Sequence, residues 1–230
     1  MSDQIPEDVR NEIKFVAFAK DYYYLLHWLK LHPAGFYSIY PDRKVNNIYF
    51  DSHDYVAYTD NLSGSSSRRK VRYRWYGNSL TPGQGVLEIK HKRNFCVWKS
   101  LFKIPESPYK PKASWKSIQR HLYLQVPDAG KKWLNENPVP ILINRYNRKY
   151  FLSQEGNVRV TVDSQLEFID QRFKSAPKLV RKKNYPEIFV VEFKFNIDDR
   201  DLASQYIQTI PVRISKNSKY ISGLKFLSGN

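Results

Sequence analysis

A chain of 230 residues, 41% hydrophobic and 15% aromatic, can bury one sizeable core, which excludes a disordered basic tail. With 38 Lys and Arg against 22 Asp and Glu the formal net charge is +16, so the fitting partner is a polyanion: nucleic acid, anionic lipid or a phosphorylated compound. One cysteine, Cys96, excludes an internal disulfide and fits a reducing compartment.

The start, MSDQIPEDVR, lacks the basic, apolar and small-residue order of a secretory signal. The longest apolar runs, such as FVAFA at 15–19, fall far short of the ~20 residues that span a bilayer. The expectation is a soluble, cytoplasmic chain that inserts in no membrane itself, with any membrane association coming through a partner. No internal repeat interrupts it, so 1–230 is expected to be a single domain.

In chain order, a strand is expected at 10–18. In DYYYLLHWLKLHP, Asp21 can cap a helix, Leu25, Leu26 and Leu29 share a face, and Pro33 lies just past the end. Its aromatics read as packing. A strand at 45–51 leads into SHDYVAYTDNL, a helical turn, and SGSSSRR (63–69) reads as a loop. Alternation predicts strands at 69–77, 85–93 and 97–104. PKASWKSIQRHLYL reads as a helix with its N-cap near Ser114, and DAGKKWLNEN as a shorter one. Strands at 141–152, 157–168, 187–197 and 211–215 complete the pattern, with SAPKLVRKKNYP (175–186) a basic surface segment between two of them. Strands in such number, at antiparallel spacing, predict an α+β barrel with helices packed outside.

The strands carry their charges in rows. In RRKVRYRWYG (68–77), Lys70, Arg72 and Arg74 share one face and Val71, Tyr73 and Trp75 the other. Arg10, Glu12 and Lys14 oppose Ile13 and Phe15. Glu88, Lys90 and Lys92 oppose Leu87 and Ile89; Arg159, Thr161 and Asp163 oppose Val158, Val160 and Val162; Glu192 and Lys194 oppose Val191, Phe193 and Phe195. A one-sided sheet with its charges in water explains any single row. Two features point inward instead: most rows are cationic, and acids stand singly within them, like ligands for a metal or a partner. A barrel of about eight strands has a lumen wide enough for side chains or one ligand. Cations buried there need a polyanion, metal-bridged phosphates or water, and both Arg forks and Lys ammonium groups match phosphate oxygens.

The strings VNNIYFDS, VRYRWYG, LEIKHKRN, VWKSLFK, RYNRKYF, VRVTVDSQLEF, VVEFKF and KNSKYISG, in that order from about residue 10 to 224, resemble the catalytic domain of the vacuolar transporter chaperone (VTC) family. These are polyphosphate polymerases within the triphosphate tunnel metalloenzyme group. The resemblance implies an α+β fold with an antiparallel eight-stranded β-barrel tunnel of the triphosphate tunnel (CYTH-like) type and helices outside. It implies metal-dependent transfer of the γ-phosphoryl group of ATP to a growing inorganic polyphosphate chain, with Mn²⁺ or Mg²⁺ as cofactor. By matched position, Arg72, Arg74, Lys90, Arg148, Arg159, Lys194 and Lys219 would be catalytic. Lys14, Lys99, Tyr146, Lys216 and Ser218 would bind phosphates, and Glu192 would hold the metal.

Hydrolytic relatives begin with a Glu-x-Glu-x-Lys strand, whereas this chain has Arg10-x-Glu12-x-Lys14. A cation thus replaces one metal-binding carboxylate, which favours the polymerase and leaves the role of Glu12 open. The alternatives are a tripolyphosphatase or nucleoside triphosphatase with water as nucleophile, and a non-catalytic polyanion binder. A nucleic-acid binder expects cations and aromatics together on an open face, and here they oppose each other along the strands. Expected partners are therefore ATP and inorganic polyphosphate, not nucleic acid. His27, His32, His53, His91 and His121 show no paired metal spacing and read as surface or packing residues, and Cys96 as structural. No Ser-His-Asp arrangement is in sight, and an anionic phosphate acceptor needs no strong general base.

Overall fold

The computed structural model describes residues 10–94, 96–180, 183–185, 187–215 and 217–229. Strand β1 (Arg10–Phe18) leads through a 3-10 turn into helix α1 (Tyr22–Leu31). Next come β2 (Tyr37–Asp51), α2 (Val56–Leu62), β3 (Ser67–Tyr76), β4 (Gly85–Arg93) and β5 (Cys96–Ile104). Helices α3 (Trp115–Gln125) and α4 (Asp128–Glu136) precede β6 (Val139–Leu152), β7 (Arg159–Asp170), the short β8 (Lys183–Asn184) and β9 (Ile188–Asn196). Helices α5 (Arg200–Ile207) and α6 (Lys219–Ser228) follow.

All pairings are antiparallel, in the order β1-β9-β7-β6-β2-β3-β4-β5, with β8 added to β7. The alternating strands turn their apolar faces outward, under the helices. Tyr73, Trp75, Leu87 and Ile89 meet Trp115, Ile118 and Leu122 of α3. Phe15, Val160, Val191 and Phe193 meet Leu25 and Leu29 of α1 and Ala203 of α5. Tyr220 and Leu224 of α6 close a third cluster with Leu142 and Phe168. Each such side chain contributes about 1.5–3 kcal/mol by leaving water. The opposite, charged face is thereby turned inward.

Helix starts follow local chemistry. Ser114 caps α3, its hydroxyl accepting from Ser117 N at 3.1 Å, as its position predicts. Asp21 precedes α1 but makes no side-chain cap. The expected turn at 52–62 is a full helix, α2, whose first amides are held from a distance: Asp51 at the end of β2 accepts from Ala57 N at 2.9 Å and Tyr58 N at 3.1 Å. Asp51 also accepts from Tyr220 Oη at 2.5 Å, so one buried carboxylate ties α2 and α6 to the sheet.

Three expectations need correction. The barrel is not closed: eight strands trace its wall, but among the described residues no ladder joins β1 to β5. The edge of β1 is taken instead by the 214–215 segment, where Ile214 bridges Phe15 and Ser215 N donates to Lys14 O at 3.0 Å. The strand expected at 211–215 is reduced to that single bridge, since Pro211 supplies no donor to a ladder. β2 begins at Tyr37 rather than near 45, and its early part slips register against β6 on both sides of Tyr40, next to Pro41. A further slip between Arg145 and Asn147 places an extra residue in β7, where Gln165 takes φ 54°. The 175–186 segment contains β8 and extends beyond the described residues. Among the described residues, no helix is long and apolar enough to cross a membrane.

Candidate active site

The inward faces of seven strands and the start of α6 converge on one cavity of about 90 Å³. Its cationic lining comprises Lys14 of β1, Lys70, Arg72 and Arg74 of β3, Lys90 of β4, Lys99 of β5, Arg148 of β6, Lys194 of β9 and Lys219 of α6. Against these nine stand four carboxylates, Glu12, Glu88, Asp163 and Glu192, leaving an excess of five positive charges. Tyr49, Tyr146, Asn217 and Ser218 complete the wall.

Each carboxylate organises a set of cations. Glu88, 3% exposed, accepts from Arg72 Nη2 at 2.6 Å and lies 2.8 Å from Lys99 Nζ and 3.5 Å from Arg74 Nη1. Burial works to raise its pKa, but Arg72, Arg74 and Lys99 overcome this and hold it well below the usual carboxylate range. Burial lowers Lys99, Glu88 offsets only part of the effect, and the neighbouring arginines push the same way; it settles at about 8. Among the described residues the buried Arg72 Nε has no hydrogen-bond partner, so a donor remains for an incoming oxygen. Arg74 Nε donates to Asn47 Oδ1 at 2.9 Å, and Asn47 Nδ2 to Asn144 Oδ1 at 2.7 Å, which fixes the guanidinium against the wall.

Asp163 accepts from Arg148 Nε and Nη2 at 2.6 and 2.7 Å and from Lys219 at 2.6 Å. Burial would raise its pKa; Arg148 and Lys219 instead bring it to about 2. Ser218 caps α6 and accepts from Lys70 Nζ at 2.8 Å. Burial, together with Lys90, Lys14, Arg68 and Arg72, drives the Lys70 pKa well below its ordinary value.

Glu12 and Glu192 face one another as interacting carboxylates among Lys14, Lys90 and Lys194. Lys194 pairs with Glu192 at 3.0 Å, Lys90 with Glu12 at 3.1 Å, and Lys14 with Glu12. Burial and mutual repulsion push Glu12 up, but Lys14 and Lys90 bring it below its ordinary value; Glu192 is held well below by Lys194 and Lys14 despite burial. Two hard oxygen donors suit Mg²⁺ or Mn²⁺, which take one or two carboxylates and fill their remaining positions with phosphate oxygens and water. Among the described residues no group of three or more His, Cys, Asp or Glu could hold a metal without such help.

Of the residues expected from sequence, Lys14, Arg72, Arg74, Lys90, Lys99, Tyr146, Arg148, Glu192, Lys194, Ser218 and Lys219 line this one cavity. Arg159 does not. It pairs with Lys194 in register, but it is the first residue of β7, where the wall ends, and its side chain is exposed. Lys216 lies outside the described residues. Tyr49, Lys70 and Asn217 were not expected, nor were Glu88 and Asp163 as the anions that hold the arginines. Lys70 had a signal, since it shares the row of Arg72 and Arg74. His91 stacks on Trp98 with centroids 5.1 Å apart, and His32 packs against Phe36 and Tyr206.

The architecture recurs in solved structures at low identity. An adenylyl cyclase candidate from Hippeastrum, described as having a dominant triphosphatase activity, is similar over 95% of both chains, with 16% identity and TM-score 0.56. An adenylate cyclase candidate from Vibrio parahaemolyticus is similar over 94% of this chain and 98% of its own, with 13% identity and TM-score 0.51. The Schizosaccharomyces pombe Mediator head module contains a similar chain at 6% identity and TM-score 0.50, covering 89% of this chain and 96% of that one. These likenesses establish a shared tunnel-type fold, and a fold alone does not select a chemistry. No curated protein matches the chain. The VTC domain family model matches residues 9–228, which span every strand and helix that supplies the cavity. The chain belongs to the VTC domain family.

Proposed function

We propose that this protein is a metal-dependent phosphotransferase that adds the γ-phosphoryl group of ATP to a growing inorganic polyphosphate chain within the basic cavity. The observation that carries the reading is the excess of five positive charges on inward faces, with a buried Arg72 donor still unpaired. Phosphoryl transfer asks a protein mainly for positioning and charge stabilisation. Arg72, Arg74 and Arg148, each oriented by a buried carboxylate or an asparagine pair, would neutralise charge on the transferred group. Lys14, Lys70, Lys90, Lys99 and Lys194 would hold donor and acceptor phosphates in line, and Ser218 and Lys219 would meet the chain at the start of α6. Glu192, with Glu12 beside it, would hold Mn²⁺ or Mg²⁺, which supplies Lewis-acid neutralisation of phosphate oxygens when bound. The acceptor oxygen is already anionic at neutral pH, so no base need remove a proton.

The second reading is a tripolyphosphatase or nucleoside triphosphatase, with water as nucleophile in the same cavity. The paired Glu12 and Glu192 favour it, since two carboxylates are closer to the hydrolytic pattern than Glu192 alone. Incubating the purified chain with ATP and Mn²⁺ separates the two. Polymer on a stained gel supports the polymerase, and free orthophosphate without polymer supports the hydrolase. A purely nucleic-acid-binding protein is disfavoured by the inward direction of the cations.

A further inference from the structure

At one end of the inward face, three tyrosines surround one arginine. The register slips of β2 beside Pro41 set Tyr40 opposite Tyr150 and Arg43 opposite Arg148. The Arg43 guanidinium lies 5.0 Å from the Tyr40 ring centroid, 5.7 Å from Tyr76 and 5.8 Å from Tyr150. Tyr40 and Tyr150 meet edge to face at 5.5 Å. Tyr40 is 48% exposed and Tyr76 47% exposed, so each ring keeps a face in water. Among the described residues no carboxylate pairs with Arg43. The cluster is thus a group of π-faces around an available cation, drawn from β2, β3 and β6.

This group is continuous with the phosphate cavity. Arg148, which lines the cavity, lies 5.3 Å from the Tyr146 ring and 5.9 Å from that of Tyr150. Cross-strand pairing runs from Tyr40 to Tyr150, from Tyr150 to Thr161 and from Thr161 to Glu192. Three strand spacings therefore separate Tyr40 from Glu192, about 14 Å along the wall, and two separate Tyr150 from it. Between them sits Thr161, 2% exposed, whose Oγ1 has no hydrogen-bond partner among the described residues. A buried hydroxyl without a partner on the path from an aromatic cluster to a phosphate cavity is what a sugar or phosphate oxygen would satisfy.

We propose that Tyr40, Tyr76 and Tyr150, with Arg43, seat the base of a nucleoside triphosphate whose phosphates run past Thr161 towards Glu192. The proposal rests on the phosphate-cavity reading and adds to it a place for the donor's base, which that reading leaves unassigned. Rings and a guanidinium recognise the π-face that all bases share, so the seat accepts adenine and guanine alike. An inorganic chain gains nothing from it.

The test is calorimetric titration of the full chain, without divalent metal, with ATP, GTP and inorganic tripolyphosphate as probes. The expected result is that Tyr40→Leu/Tyr76→Leu weakens ATP and GTP about tenfold each and leaves tripolyphosphate within twofold, the low end of what one stacked base is worth. Arg43→Gln, a single exposed substitution, gives a smaller loss in the same direction should the double variant fail to fold. Tyr40→Phe, which keeps the ring, retains nucleotide binding. Equal losses for nucleotide and tripolyphosphate, or no loss for either, overturn the seat while leaving the phosphate cavity standing. Failure of the wild-type chain to bind any of the three overturns the cavity reading itself, and the seat with it.

Discussion

Glu88→Gln tests the claim that a buried acid preassembles the cations proposed to bind phosphate. The substitution keeps shape and removes one negative charge from a site 3% exposed that engages Arg72, Arg74 and Lys99. Breaking a buried ion pair by neutralising one partner costs about 3–5 kcal/mol, because the remaining charges stay buried without compensation. For a chain of this size each kcal/mol moves Tm by about 2–4 °C, so the ligand-free variant should melt roughly 6–20 °C below wild type. Inorganic tripolyphosphate replaces the missing charge with its own oxygens. Millimolar tripolyphosphate should therefore raise the variant's Tm by more than it raises that of wild type, narrowing the gap. Differential scanning calorimetry with and without ligand measures both quantities. A variant melting within about 2 °C of wild type, or equal ligand shifts in both proteins, would refute the preassembly argument.

Arg72→Ala should lower polymer formation about 10²–10³-fold in a gel assay with ATP and Mn²⁺, by the worth of one transition-state donor; Arg159→Ala, outside the cavity and exposed, should stay within twofold. Affinity for tripolyphosphate should fall as pH rises from 7 to 9, because Lys99, with its pKa at about 8, loses its charge there and the lowered Lys70 and Lys90 shift the same way; a flat titration profile would contradict this. Between pH 8 and the ordinary lysine value the unfolded chain binds the Lys99 proton and the folded one does not, so the ligand-free protein should gain stability as pH rises through that window, read as Tm. Asp163, at about 2 in the fold, should contribute about 2 kcal/mol that is fully present above its unfolded value of 3.8 and lost as pH falls through 2. Asp163→Asn should therefore destabilise by about that much at pH 7 and far less at pH 2, measured by urea unfolding.

The inward direction of the charges was legible from two-residue alternation, because the apolar residues opposite them, such as Val71, Tyr73 and Trp75, needed the helices as cover. The place of single positions in the cavity was legible where a string such as RYNRKYF or KNSKYISG fixed the register of Arg148 or Lys219. What escaped lies in long-range geometry. Arg159 sits in the same face pattern as Asp163, and only the register and the end of β7 decide that one is exposed while the other is buried. Glu88 read as one acid among cations; that it gathers Arg72, Arg74 and Lys99 depends on β3, β4 and β5 being neighbours. Helices α5 and α6 lacked a strong start signal, and Ser218 becomes a cap only because Tyr220 is drawn to Asp51, more than a hundred residues away in sequence. Closure of the barrel failed for a similar reason: alternation counts strands, and it does not say which edge a passing segment such as 214–215 will occupy.

A wall left without a final ladder can change girth in a way that a sealed one cannot. Beside the gap between β1 and β5, where the 214–215 segment takes the β1 edge, Glu12 of β1 pairs with Lys90 of β4 at 3.1 Å. On the reading proposed above, a phosphate oxygen that captured Lys90 would compete directly with Glu12 and so loosen that pairing. Under that proposal, threading a long polyanion would ask only for the exchange of one counter-ion for another along the gap.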